Sequence, residues 1–286
     1  MERRTGRGNS HVIGERLPSP PGNEDSMHTP HPAIVVAPLH FVPGVRAHSA
    51  VNAGMHQCST CAQRALCVTS GYNAAELLAM DGLMFARRRV KLGEALFRQG
   101  EAFQFIYAVR SGTFKSGNAM QDGREQVTGF HIGGDVLGLD GLAEGRHASE
   151  AIALEDSEIC AIPYRQLAEL AARHPNMQRA LTQLLGRQIV GEQRAMMLLA
   201  SMSAEERVAS FVLGIARRME ARGYSSREFH LRMSRAEIGS YLGLTLETVS
   251  RAFSSLQQQR LIDVAKKHIR ILDLATLTNR AEPSVH

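Results

Sequence analysis

The apolar positions of this chain are spaced differently in successive stretches, and each spacing predicts a different kind of element. Up to about residue 50 no period is visible. Pro, Gly, Ser, His and Arg dominate there, and a segment with no apolar face to bury is expected to be a disordered tail. Met27 and Met55 are candidate alternative starts. A short helical stretch, about Ala74 to Leu83, stops near Gly82. From Phe85 to Pro163 short apolar runs are punctuated by glycine: Ala95-Leu96-Phe97 before Gly100, Phe105 to Val109 before Gly112, Val127 to Phe130 before Gly133-Gly134. β-prone runs with a turn signal about every 8–12 residues predict an all-β barrel or sandwich.

After Pro175 the spacing becomes helical. Met177, Leu181, Leu185, Ile189, Met196 and Leu199 recur mostly at steps of three and four, on one face of a helix about 25 residues long. Such a stripe can pack on its own domain, but one this long and narrow fits a seam between two helices at least as well, and predicts self-association. Helical patterns follow over Ala204–Arg222, Arg235–Leu242 and Leu246–Gln258. Two short apolar runs then flank a basic turn: Leu261 to Val264, Lys266-Lys267, His268 to Ile271. Helices followed by a hairpin predict a winged helix.

The middle helices carry the chemistry of a helix-turn-helix. Ser234 and Glu237 have the spacing of a capping box, Ile238 and Leu242 supply a buried face, and Gly243 suits the left-handed turn that ends a helix. Thr245 can cap the next helix, whose inner face is Val249, Phe253 and Leu256. Glu247, Ser250 and Arg251 are spaced i, i+3, i+4 on another face, in the turns of a recognition helix that meet base edges. Arg can donate two parallel hydrogen bonds to guanine, Glu can accept from cytosine N4, and Ser can approach either base. The alternative is an exposed Glu247–Arg251 ion pair, worth only about 0.3–0.5 kcal/mol. The capped helix before it, the glycine turn and the basic wing favour the DNA reading.

Composition changes this picture little. The chain is 44% hydrophobic and has no apolar run near the roughly 18 residues that span a bilayer. Ile34-Val35-Val36-Ala37, followed by Pro38, is too short for the core of a signal peptide, so a cytoplasmic protein with no membrane partner is expected. Of the formal net charge of +5, most falls between Ser203 and His286, with 13 Lys and Arg against 9 Asp and Glu. This hints at a polyanionic partner for that segment.

The four cysteines add a second chemistry. Cys58, Cys61 and Cys67 come from one short loop, and Cys160 lies far along the chain. Disulfides are not expected in the cytoplasm. Four soft thiolates can hold an iron–sulfur cluster or tetrahedral zinc, and free or redox-active thiols are the remaining reading. Three clustered ligands with one remote are closer to cluster usage than to the two close pairs of structural zinc sites. Cys160, within Ile159-Cys160-Ala161-Ile162, can also be read as a small buried hydrophobe. Nothing points to an enzyme: the βαβ context of a dithiol oxidoreductase, a Gly-rich nucleotide loop and a catalytic triad are all missing from the sequence.

From about Cys58 to Leu274 the chain resembles the CRP/FNR family of bacterial regulators. Leu92 to Glu101 matches the glycine pattern of that family's cyclic-nucleotide-binding β-roll, continued by Tyr107 to Thr113, Thr128 to His131 and Gly134-Asp135. Tyr241 to Arg251 is close to the reading head of the oxygen-sensing, iron–sulfur branch, the regulators of fumarate and nitrate reduction. The cysteines match that branch's cluster ligands in order and spacing. The resemblance implies an α+β fold: a β-roll sensor with its iron–sulfur loop over 51–174, a dimerisation helix over 175–202 and a winged helix-turn-helix over 203–286, after a tail over 1–50. It implies a [4Fe–4S] cluster on Cys58, Cys61, Cys67 and Cys160, with zinc as the alternative. It also implies a homodimer bound to a palindrome of the form TTGAT–four bases–ATCAA, contact with RNA polymerase, and loss of the dimer when oxygen destroys the cluster. Glu247, Ser250, Arg251 and Thr245 are the implied DNA-binding residues.

Two departures from the family pattern matter. Relatives that bind cyclic AMP carry a Gly-Glu-Leu segment and, further on, an Arg-Ser pair. Here Gly138-Leu139-Asp140 and Ser149-Glu150 stand at those places. Without the phosphate-binding Arg, and with acidic neighbours, no bound cyclic nucleotide is expected. Beside Ile189 on the seam helix, Glu192 stands where the branch usually has an Asp that opposes dimerisation until the cluster is intact. The pair is therefore the implied dimer switch, although the longer side chain can escape to water more easily.

Overall fold

The computed structural model describes residues 57–83, 86–120, 123 and 125–281. The predicted tail, Met27 and Met55 lie outside the described residues. The fold is mixed α and β, in the order the spacing predicts.

The β-roll consists of two four-stranded antiparallel sheets. One has the order β1-β8-β3-β6, formed by β1 (Ala86–Val90), β8 (Ser157–Pro163), β3 (Phe105–Ser111) and β6 (Val136–Leu137). The other has the order β2-β7-β4-β5, formed by β2 (Ala95–Phe97), β7 (Glu150–Ala153), β4 (Thr113–Ala119) and β5 (Glu125–Ile132). Alternate residues point to opposite faces. One set, including Val109, Phe114 and Ile159, fills a core of its own, which Leu96 and Phe97 both enter at an irregularity in β2.

The outer face of the first sheet carries Ile106, Ala108, Val136 and Ile162, and it is covered by three helices and a loop. These are the cysteine loop, α1 (Ala74–Asp81), α2 (Tyr164–Ala171) and the start of α3 (Pro175–Ser201), with Val68, Tyr72, Met80, Leu167, Met177 and Leu181 buried together. Helix α3 is 27 residues long, and only Met177, Ala180 and Leu181 of it are buried. Beyond them Ile189 is 56% exposed and Met196 62%, an apolar stripe with no cover in the single chain.

The third core belongs to the C-terminal region. It joins α4 (Ala204–Glu220), α5 (Arg235–Leu242), α6 (Leu246–Gln258), a three-stranded sheet and α7 (Leu274–Ala281). The sheet order is β10-β11-β9, from β10 (Ile262–Ala265), β11 (His268–Ile271) and β9 (Glu228–His230). The predicted hairpin is thus two strands of three. Strand β9 leaves no pattern in the sequence: in three residues Phe229 is its only buried side chain, too little for a period. Likewise α2 and α7 each bury two residues, Leu167 and Ala171, Leu277 and Ala281, which is one helical repeat and no more.

Candidate cysteine centre and nucleic-acid interface

The strand register decides where Cys160 points. In β8 it lies opposite Arg87 of β1 and Ala108 of β3, and directly opposed residues of antiparallel strands share a face. Ile159 and Ala161 turn into the roll, so Cys160 turns outward, onto the face covered by the cysteine loop.

The loop is a series of tight turns. Cys61 N donates to Cys58 O at 3.2 Å, Cys67 N to Gln63 O at 3.1 Å and Ser70 N to Cys67 O at 3.0 Å. Asp81, at the end of α1, fixes its start. One carboxylate accepts from the backbone N–H of Cys58, from Ser59 N at 3.2 Å and from Ser59 Oγ at 2.5 Å. Helix α1 is itself anchored by a capping box between Asn73 and Glu76.

The result brings Cys58, Cys67 and Cys160 against a single apolar core, with Cys61 in the same loop. Burial pushes the Cys58 thiol up to about 12, and Cys67, Cys160, Asp81 and Cys61 push in the same direction. Burial raises Cys67 to about 12 as well, against backbone hydrogen bonds that lower it, and with Cys160 and Cys61 adding to the rise. Cys160 is raised by burial, opposed by the Arg87 charge and reinforced by Cys61. Negative charge at neighbouring cysteines thus adds to burial in raising all three thiols. Thiols raised in this way are protonated at neutral pH, and a positive metal centre would release those protons.

Among the described residues, no three Cys, His, Asp or Glu side chains converge as tightly as one metal ion requires. A four-iron cluster is wider than a single ion, and its thiolate ligands stand correspondingly farther apart. The donor set fits such a cluster in its chemistry: four soft, half-buried sulfurs, three of them against one apolar core. Two buried donors have no partner: Tyr72 Oη, whose ring lies in the same core, and Arg87 Nε, opposite Cys160 in the β1–β8 register. Asp81, Tyr72 and Arg87 were invisible in the sequence, because only the tertiary register brings them to the cysteines.

In the C-terminal region, Ser234 and Glu237 close the expected capping box, and Gly243 ends α5 with φ 63°. Thr245 caps α6, its Oγ1 accepting from Thr248 N at 3.2 Å. Val249, Phe253 and Leu256 are buried, while Glu247 and Arg251 are exposed and Ser250 is half-buried. Among the described residues no ion pair joins Glu247 to Arg251, so the guanidinium is not spent on its helical neighbour. Lys266 and Lys267 form the exposed tip between β10 and β11.

On α3, Ile189 and Glu192 are both exposed, and Gln188 Nε2 donates to Glu192 Oε1 at 2.9 Å. Glu192 borders a cleft of about 340 Å³ between the β-roll and α3. Leu139, Asp140 and Ser149 line it, the residues expected from the sequence at the family's nucleotide site. Asp140 Oδ2 accepts from both Ser149 N and Ser149 Oγ at 2.8 Å. Ser149, expected at the place of the family's phosphate-binding group, thus has its hydroxyl already bonded to a carboxylate.

Residues 87–174 match the model of the cyclic nucleotide-binding domain, and residues 206–280 that of the Crp-like helix-turn-helix domain. The chain is 41% identical over 241 residues to the transcriptional activator protein Anr of Pseudomonas protegens, covering 84% of this chain and 97% of that one. It is 40% identical over 214 residues to the fumarate and nitrate reduction regulatory protein of Escherichia coli, covering 75% and 86%. Among solved structures, FixK2 from Bradyrhizobium japonicum superposes with a TM-score of 0.66 at 30% identity, over 71% of this chain and all of that one, a coverage of 100%.

Proposed function

The chain belongs to the CRP/FNR family of transcription regulators, and from that membership and the cysteine geometry we propose that it is an oxygen-responsive activator that binds palindromic DNA as a homodimer. Cys58, Cys61, Cys67 and Cys160 would hold a [4Fe–4S] cluster, which supplies an oxygen-labile tie between the loop and β8.

One observation carries the proposal: the cysteine loop, the strand with Cys160 and the root of the long helix share one apolar core. Seating the loop there would complete the core that holds Met177 and Leu181 at the start of α3. The rest of the α3 stripe would then pair with its symmetry mate. Burying the exposed Ile189, Met196 and Leu199 side chains favours that pairing by about 25 cal/mol per Å² of apolar area. Glu192 opposes it if like charges are desolvated together across the seam. A well-seated loop offsets this cost, and a loosened one does not. Only a few kcal/mol need separate the two states. Dimerisation sets two α6 helices about one DNA turn apart, with Glu247, Ser250 and Arg251 toward base edges and Thr245 near the backbone. RNA polymerase is the expected partner once DNA is bound.

The test is iron, sulfide and zinc content with the visible spectrum, on full-length protein purified without oxygen and then exposed to air, for wild type and Cys160→Ser. About four irons and four sulfides per chain, a broad absorption that bleaches in air, and loss of both in Cys160→Ser are expected. One zinc, no sulfide and no change in air would overturn oxygen sensing and leave a DNA-binding regulator with another effector.

A further inference from the structure

Folded chains rarely leave a buried hydrogen-bond donor without an acceptor, because it has lost water and gained nothing. Among the described residues two buried side-chain polar atoms have no partner, Tyr72 Oη and Arg87 Nε. They come from different elements, the end of the cysteine loop and β1, and both face the region of the cysteines. Tyr72 is 8% exposed and lies in the apolar core against which Cys58, Cys67 and Cys160 pack. Burial raises its phenol, and negative charge at Cys67, Glu76 and Cys58 raises it further. Arg87 lies directly opposite Cys160 in the β1–β8 register, on the same face of the sheet. Its charge acts on the Cys160 thiol more than any other group does, after burial itself.

Both orphans are donors, and they approach from different sides: Tyr72 from the loop beside Cys58 and Cys67, Arg87 from the sheet beside Cys160. The electron-rich atoms common to both are the sulfurs. We infer that the Tyr72 hydroxyl and the Arg87 Nε–H donate hydrogen bonds to the sulfurs of the cluster held by the four cysteines. The inference rests on the cluster reading above and adds two positioning residues to it. Hydrogen bonds to the sulfurs, together with local positive charge, set the potential of such a cluster. Both donors make it harder to oxidise, so they slow the response to oxygen. Tyr72 and Arg87 therefore set a threshold for the switch without being ligands.

The experiment compares full-length wild type with Tyr72→Phe, Arg87→Met and Arg87→Lys, all purified without oxygen. Tyr72→Phe keeps the ring and removes only the hydroxyl. Four readings are taken: iron and sulfide content, couplings to exchangeable deuterons around the reduced cluster after transfer to heavy water, the reduction potential, and the rate of bleaching in air. The expected result for Tyr72→Phe is a full complement of iron and sulfide, loss of one deuteron coupling, a more negative potential and bleaching several-fold faster. Arg87→Met should act in the same direction, with Arg87→Lys part of the way back because the charge is kept. Tyr72→Phe and Arg87→Met clusters with wild-type couplings, potential and bleaching rate would overturn the inference and leave the cluster reading standing. Wild-type protein with no iron or sulfide would overturn both. If Tyr72→Phe does not hold iron, the two Arg87 variants decide by the same readings.

Discussion

His131 lines the cleft between the β-roll and α3, with its Nε2 at 2.9 Å from Ser116 Oγ. Burial holds its imidazole down to about 4, and Arg218 pushes the same way against Asp135 and Asp140. The unfolded chain binds this proton near pH 6.5 and the folded chain only near pH 4, so folding is favoured above pH 6.5 and loses that advantage as pH falls between the two values. The part at stake is on the order of 3 kcal/mol. His131→Gln should flatten the fall in urea midpoint between pH 6.5 and pH 4, and a variant curve parallel to wild type would show that His131 is not the group responsible. Arg251 is the other residue whose role can be isolated. It is exposed, outside the core, and without an ion-pair partner on Glu247. Arg251→Ala should leave melting and dimerisation unchanged and weaken operator binding by about 1–3 kcal/mol per half-site. Gel-shift titrations on the palindrome and on a scrambled duplex check this; equal loss on both would assign Arg251 to phosphate contact and not to base reading.

Helix α3 shows how far an element can be read from spacing. Its stripe of Met177, Leu181, Leu185, Ile189, Met196 and Leu199 is visible in the sequence because a long helix repeats its apolar signal many times. The structure then separates two uses of that stripe, burying Met177 and Leu181 against the roll and leaving Ile189 and Met196 uncovered. Helices α5 and α6 were legible for another reason: their boundaries are set by local chemistry, Ser234 with Glu237, Gly243 and Thr245. Strand β1 was hidden by its composition. Ala86-Arg87-Arg88-Arg89-Val90 carries three arginines, only Val90 is fully buried, and no alternation of apolar residues announces it. Half of the cysteine surroundings therefore stayed unread, since Arg87 reaches Cys160 only through the β1–β8 register. The uncovered half of α3 gives the prediction at this scale. Glu192→Ala removes the charge beside Ile189 and should shift air-exposed protein toward dimer in sedimentation velocity, with Glu192→Gln close behind. An unaltered profile for both would mean that Glu192 reaches water in the dimer and is no part of the switch.

Across the whole molecule, the β-roll grips the C-terminal region at two places. On one side Lys115 of β4 bridges Glu125 and Glu237 at 2.7 and 3.1 Å, while Ser240 Oγ accepts from Val127 N at 2.9 Å. On the other, the turn Gly133-Gly134-Asp135 between β5 and β6 meets α4. Asp135 accepts from Arg222 Nη2 at 2.7 Å and from Arg218, and Arg222 Nε donates to Gly133 O. The same turn abuts the cysteine loop. Gly134 has φ 91°, and a Cβ there would stand 2.8 Å from Leu66, one residue before Cys67. The loop is thus one turn of chain away from the DNA-binding region of its own subunit, by a route that does not pass through the dimer seam. Asp135→Asn tests whether that route carries coupling. The change leaves Arg222, with a side chain only 7% exposed, without its carboxylate, at a cost of about 2 kcal/mol for a partly solvated pair. If the turn transmits the state of the loop, Asp135→Asn protein should bind iron and dimerise as wild type does, while amides of α4 exchange faster and operator affinity changes less on exposure to air. If the seam alone transmits it, the thermal midpoint falls but the ratio of anaerobic to aerobic affinity stays at the wild-type value. The ratio, unlike the affinity itself, is insensitive to a general loss of stability, so it separates a coupling residue from one that only holds two layers together.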